Sequence, residues 1–453
     1  MLTATNPTTG QIARSIKPDD SSTISAKLAA SKQAYSAWRR TSFDERARFI
    51  CEVARIHRER ASELAVLMTE EMGKPVREAL GEIEKCAKSA EFYAENAQKY
   101  LAPEVIESDA DKSYVQYLPL GTVLGILPWN SPFWLAFRVA IPALMAGNTC
   151  LIKPDPHVPG CGAALADAFR AAGSPPGLFD VLFLETPQIA EVIADPRIAA
   201  VSFTGSSAAG SKVAALAAQH IKPAVLELGG SDPAIILADA DLERAAATTC
   251  LARTICAGQS CIAAKRVLVE QPVHDHFVEL FQQQLAAIQQ GDPTDSATDM
   301  GPIARSDLRD ELHRQVSQSV KMGATLKLGG QLPDGPGTFY PVTLLTDVTP
   351  EMPVFREETF GPVAVVTKVR DLDEALRLAN QSEYGLASSI WTTPARGEAL
   401  AREIEAGQVV INGVVKTDPR LPSGGVKRSG YGRELGPHGI REFTNAQQVW
   451  IGK

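Results

Sequence analysis

The stretch TVLGILPWNSP, residues 122–132, decides the fold. Residues 122–127 form a short apolar run of strand character, and Pro128-Trp129-Asn130-Ser131-Pro132 ends it in a rigid turn. That turn holds one amide side chain, Asn130, at the start of an alanine-rich helical stretch; taken alone, Asn130 is equally a helix cap or turn residue. Working outward, the same pattern repeats at residues 149–152, 179–184, 199–203 and 224–228, with helices starting near Pro132, Pro159, Thr186 and Ser206. Strands that alternate with helices of this length are βαβ units, so the segment is read as a parallel sheet with helices on both faces.

Before this core the chain reads as helical. Ser42 with Glu45 makes a capping box, Phe49, Val53 and Ile56 continue at helical spacing, and Gly73 and Pro75 are the expected stop. After it, a second alternating region runs from near Pro233 to about Lys427, with strands expected at 266–270, 362–369 and 409–412. Residues 330–337, rich in Gly and Pro, form a loop. The fold class is therefore α/β with two α/β domains, and a cleft between two such domains is a common place for cofactor and substrate to meet.

Composition narrows the function. At 453 residues the chain is too long for one hydrophobic core, and 45% hydrophobic content fits a globular protein. No apolar stretch is long enough to span a bilayer and no secretory leader pattern opens the chain, so a soluble, cytoplasmic protein without a membrane partner is expected. The formal net charge of −8 is spread along the chain, which argues against a nucleic-acid partner. Seven cysteines without a CxxC pair and seven histidines without an HExxH cluster indicate neither a disulfide framework nor a metal site.

In a parallel sheet the residues just after each strand face the ligand. Thr204-Gly205-Ser206 opens a helix whose free N–H groups suit a pyrophosphate. The following Gly210-Ser211-Lys212 fails as a P-loop because the lysine does not directly follow the glycine, and no GxGxxG fingerprint is present. Glu227-Leu228-Gly229-Gly230 sets a carboxylate at a strand end, and Gly258-Gln259-Ser260-Cys261 sets a thiol after a glycine turn. A cysteine nucleophile and a carboxylate base in one cleft are the minimum for making and hydrolysing a thioester. Glu357-Glu358-Thr359-Phe360-Gly361-Pro362 adds an acid beside an aromatic ring, suited to a ribose and a flat base.

Taken in order, PWNSP, FTGS, ELGG, GQSC, EETFGP and Gly424-Gly425-Val426-Lys427-Arg428-Ser429-Gly430 resemble the aldehyde dehydrogenase superfamily over nearly the whole chain. The resemblance implies an aldehyde dehydrogenase-like fold: a Rossmann-type cofactor domain (1–98 and 120–229), a catalytic domain (230–428), and an oligomerisation arm with C-terminal segment (99–119 and 429–453) in a homodimer or homotetramer. It implies NAD or NADP as cofactor and no metal. It also implies Cys261 as nucleophile, Asn130 with the Cys261 N–H as oxyanion donors, and Glu227 as the base for the deacylating water. Cofactor contacts are implied for Trp129, Lys153, Asp155, Gly205, Ser206, Leu228, Glu358 and Phe360. The acid at Glu227 favours hydrolysis over acyl transfer to coenzyme A. A catalytically silent relative would be expected to lose Cys261, Glu227 or Asn130, and all three are present.

For the substrate, Trp134 and Arg138 stand one turn apart on the helix that lines the tunnel in this family. Arg138 is expected to hold a carboxylate at the far end of the substrate, with Ser423 adding a hydrogen bond. Together with the wording ELGGSDP and GQSCIAAKR, these features are similar to the bacterial succinate-semialdehyde dehydrogenase branch, which implies succinic semialdehyde as the aldehyde substrate. A broad-specificity aliphatic or aromatic aldehyde dehydrogenase is the alternative. In Lys153-Pro154-Asp155-Pro156 the glutamate of many NAD-preferring relatives is replaced by Pro, which admits NADP, while Asp155 opposes its 2′-phosphate by charge. Cys256, five residues before Cys261, is a weak candidate for redox control.

Overall fold

A computed structural model describes residues 1–452. Strands form at Thr122–Ile126, Thr149–Lys153, Phe179–Val181, Ile198–Thr204 and Ala224–Glu227, all parallel, with Gly430–Tyr431 added antiparallel at one edge. The chain starts in the middle: Thr149–Lys153 and Phe179–Val181 lie to one side of Thr122–Ile126, Ile198–Thr204 and Ala224–Glu227 to the other. The direction of winding therefore reverses between Thr122–Ile126 and Ile198–Thr204, and a crevice opens at their carboxyl ends. Residues 127–131 and 204–206 sit at its mouth.

The helices of this unit begin as expected, at Pro132, Pro159, Thr186 and, with Ser206 as its cap, Ser207. Helix Pro132–Met145 is buried along its whole length, which explains why its sequence is apolar on every side, Arg138 excepted, rather than along one stripe. It packs on the long helix Val76–Tyr100, whose buried face carries Ala79, Ile83, Ala87 and Ala90. The capping box of Ser42 and Glu45 forms. The helix expected to run on to Gly73 divides at Arg60 into Phe43–Glu59 and Ala61–Met72. The break re-aims the second piece so that Leu64, Ala65, Met68 and Met72 all enter the core. Gly73, at φ 78°, ends it in the left-handed conformation that glycine adopts without strain.

The second region is a seven-stranded sheet in the order Thr325–Leu328, Thr343–Thr346, Val363–Val369, Arg266–Glu270, Pro233–Ile236, Ala387–Trp391, Gln408–Ile411. All neighbours are parallel except Thr325–Leu328. A third, antiparallel sheet joins Thr444–Ile451 to Lys112–Pro119 and Glu104–Val105. Among the described residues no helix is long and apolar enough to cross a membrane.

Candidate active site

Cys261 follows a backbone that is unusual in three consecutive residues. Helix Leu242–Thr254 ends, and Cys256, Ala257 and Gly258 take φ values of 54°, 53° and 72°. Two of the three are not glycine, so the turn carries strain of about 1–3 kcal/mol at each. Partners on four sides hold it. Glu78 accepts the Cys256 N–H at 2.9 Å, Arg253 donates to Gly258 O and Gly361 O at 2.6 Å each, and the Gln259 amide bridges Cys256 O (3.0 Å) and the Ala304 N–H (2.8 Å). At Gly258 a side chain is excluded on both counts, because its Cβ would lie 2.3 Å from Gly361 O.

The half-buried Cys261 leaves this turn facing a group of buried charges. Burial pushes its thiol up to about 11 against the pull of Lys265 and Arg138, with Glu227 and Glu358 raising it further. Lys265, fully buried, donates to Cys261 O at 2.5 Å and pairs with Glu358 at 3.0 Å. Glu227, at the end of its strand, is raised as well, mainly by loss of water; Arg138 opposes the shift and Glu434 adds to it. Thiol and carboxyl are thus both held toward their neutral forms, and each must release its proton before it acts as nucleophile or base.

Asn130 stands across the cleft in the turn after Thr122–Ile126. Its Nδ2 donates to Gln259 O at 2.9 Å, and its own backbone carbonyl accepts from the Cys256 thiol at 3.6 Å. The amide is tied to the cysteine loop through one of its two N–H bonds, leaving the other for a ligand. The Cys256 thiol is pushed up to about 12 by burial, which keeps it unreactive.

Toward the other sheet the crevice has the features of a dinucleotide site. Ser206 caps helix Ser207–Gln219 by accepting from the Ala209 N–H at 3.3 Å. Gly205 and Gly210 are hemmed in: a Cβ would lie 2.7 Å from the Phe203 ring or 2.4 Å from the Leu228 side chain. The Trp129 and Phe360 rings meet edge to face at 5.9 Å. Glu358 accepts from the Gly230 N–H at 3.2 Å. Lys153 ends its strand buried, its amine lowered by desolvation, with no carboxylate of the described residues within 4.0 Å. Asp155 is taken up by His157, accepting from its backbone N–H at 2.9 Å and contacting its ring Nδ1 at 2.7 Å. A buried amine at a strand end, whose neighbouring acid Asp155 is engaged by His157, fits a phosphorylated cofactor.

The two residues expected to hold the substrate carboxylate lie buried beside this group of charges. Arg138 is 4% exposed, and its guanidinium faces Glu227 (3.4 Å) and Glu434, with which it forms a close ion pair. Ser423 is also buried; its backbone pairs with that of Glu434 and its hydroxyl accepts from Gln408 at 3.4 Å. Sequence reading missed Glu434, Lys265, Gln259 and Glu78. Gln259 and Lys265 flank Cys261 in its own segment, whereas Glu78 and Glu434 come from parts of the chain far from it, where no spacing signal marks them.

The aldehyde dehydrogenase family model matches residues 1–449. The chain belongs to the aldehyde dehydrogenase family. Among its relatives, a probable succinate-semialdehyde dehydrogenase [NADP(+)] of Synechocystis is 47% identical, covering 98% of each chain. A succinate-semialdehyde dehydrogenase [NADP(+)] of Mycobacterium avium is 46% identical over 99% of this chain and 96% of its own. The crystal structure of succinic semialdehyde dehydrogenase from Streptococcus pyogenes in complex with NADP+ superposes with a TM-score of 0.97 at 32% identity, covering 100% of both chains. Among the described residues no group of three or more His, Cys, Asp or Glu could hold a metal ion.

Proposed function

We propose that the protein oxidises succinic semialdehyde to succinate with NADP, and with NAD as second cofactor, through a thioester on Cys261. The observation that carries the reading is the pairing, in one cleft, of a strained-loop thiol with a buried carboxyl whose proton affinities are both raised. The names of the relatives support the choice of aldehyde and cofactor.

In this reading Cys261, its proton released to solvent, bonds the aldehyde carbon as a thiolate while the C=O π pair moves to oxygen, and the resulting oxyanion is received by the Asn130 amide and the Cys261 N–H. Such donors are worth roughly 3–4 kcal/mol each in a buried site. The bound nicotinamide supplies the hydride acceptor. Glu227, once ionised, removes a proton from the water that cleaves the thioester. Trp129, Gly205, Ser206, Leu228, Glu358 and Phe360 form the cofactor crevice, and Lys153 takes the 2′-phosphate while His157 occupies Asp155. The division into cofactor (1–98, 120–229), catalytic (230–428) and oligomerisation (99–119, 429–453) parts is supported by the three largest sheets, apart from Gly430–Tyr431 on the edge of the first, and in this reading the third sheet joins copies into a cytoplasmic homodimer or homotetramer.

Glu227→Gln tests the mechanism. Expected is a burst of reduced cofactor of one equivalent per active site, followed by turnover slowed roughly 100-fold or more. Loss of the burst together with turnover would remove Glu227 from deacylation. Equal efficiency on succinic semialdehyde and butanal in the unaltered enzyme would favour a broad-specificity aldehyde dehydrogenase.

A further inference from the structure

Helix Pro132–Met145 begins two residues after Asn130, and Ser131 does not cap it with its side chain. Its free N–H groups are met from a distant part of the chain. Glu82, on helix Val76–Tyr100, accepts from Phe133 at 3.1 Å and from Trp134 at 3.0 Å with one carboxylate oxygen. The other oxygen of Glu82 forms a close ion pair with Lys74, whose Nζ also donates to Ser131 Oγ at 3.3 Å. A carboxylate at a helix N-terminus is favoured by the helix dipole, and this one is buried together with its cation.

Glu78 lies one turn before Glu82 on the same helix and accepts the Cys256 N–H at 2.9 Å. One helix therefore holds two loops that meet in the site: with Glu82 the turn that carries Asn130, with Glu78 the turn that leads to Cys261. The two acids are four residues apart, a rise of roughly 6 Å. The loops also touch directly, through Asn130 Nδ2 and Gln259 O at 2.9 Å. Lys74 is within electrostatic reach of both acids. Burial opposes its charge, but Glu82, with Cys256 and Glu78 behind it, outweighs burial and raises the amine. Its backbone carbonyl is fixed by Thr69 Oγ1, which donates at 2.8 Å from the preceding helix.

We infer that Lys74 is a positioning residue for the oxyanion pocket: by holding Glu82 and Ser131 together it fixes the Asn130 turn against the turn 256–258, so that the Asn130 amide and the Cys261 N–H converge on one oxygen. The inference rests on the proposed roles of those two donors. The partners of Lys74 are Glu82 and Ser131, and it acts through them. Without its amine Glu82 becomes a buried carboxylate with no cation, which takes up a proton or turns away; either change loosens the start of helix Pro132–Met145. A displacement of about 1 Å in a donor costs on the order of 100-fold in rate.

The test is a double-mutant cycle read by the rate of the burst of reduced cofactor with succinic semialdehyde and NADP. Lys74→Met should slow the burst roughly 30-fold while KM changes by less than about twofold, and Lys74→Arg should recover most of the rate. In the Asn130→Ala background, itself slowed roughly 100-fold, the same Lys74→Met substitution should cost no more than about threefold, because the donor it positions is gone. Ser131→Ala removes one acceptor of Lys74 without uncovering a buried charge. It should give a smaller loss, about threefold, that disappears in the Asn130→Ala background, and it carries the test should Lys74→Met fold poorly. A loss of the same fold in both backgrounds, or of none in either, would overturn the role of Lys74. An unchanged burst in Asn130→Ala alone would instead overturn the oxyanion reading on which the inference rests.

Discussion

Arg138 and Lys85 are both basic residues near Trp134, yet their surroundings differ. Arg138 stands between two buried carboxylates; Lys85 has a ring and a hydroxyl but no acid. Removing Arg138 leaves Glu227 and Glu434 without their cation, a loss of about 3–5 kcal/mol for a broken buried pair. Arg138→Leu should therefore lower the melting temperature and, if Arg138 holds the substrate carboxylate, slow succinic semialdehyde more than butanal; equal slowing of both would leave Arg138 a structural cation only. The Cys261 thiol, raised to about 11, is mostly protonated at neutral pH. Its alkylation by iodoacetamide should accelerate about tenfold per pH unit from 7 to 10, because only the thiolate reacts. Lys265→Met removes the largest opposing charge and should move the profile further to alkaline pH; a plateau near pH 8 in the parent protein would refute the assignment.

At the scale of elements, the turn 256–258 is the part most dependent on its support. Its strain persists only because Glu78, Arg253 and Gln259 over-determine it. Glu78→Leu would orphan the buried Cys256 N–H at a cost of about 1–3 kcal/mol. The expected outcome is a fall in kcat with a smaller change in melting temperature, since the turn can relax while the sheets stay intact. Gly258→Ala forces a Cβ to 2.3 Å from Gly361 O and should abolish activity; a variant with normal kcat would show that the turn has room to adjust. The strands and helices around the crevice were legible because alternation and proline-led helix starts are local signals. The division at Arg60 was not, since both halves share one helical spacing and only packing of Leu64 and Met68 separates them.

Across the whole molecule, stability should depend on pH through His57. It is fully buried among Phe133, Phe137 and Phe169 and depressed by desolvation from 6.5 to about 4. The unfolded chain takes up this proton before the folded one does, so the contribution is complete above pH 6.5 and is lost as the pH falls toward 4. The full effect is on the order of 3 kcal/mol. Melting temperatures of the parent and His57→Phe should converge over that range as acid removes the advantage of the parent; parallel curves would exclude His57. By itself, the order of strands and helices, the family, and the thiol, amide and acid at strand ends were determined by the sequence, because strand periodicity and turn chemistry act over a few neighbouring residues. Which charges neutralise one another was decided only by the tertiary structure. Glu434 reaches Arg138, Lys265 reaches Glu358, and Lys85 is left without an acid through contacts between segments far apart in the chain. Electrostatic energy depends on distance and burial in space, and a linear sequence carries neither.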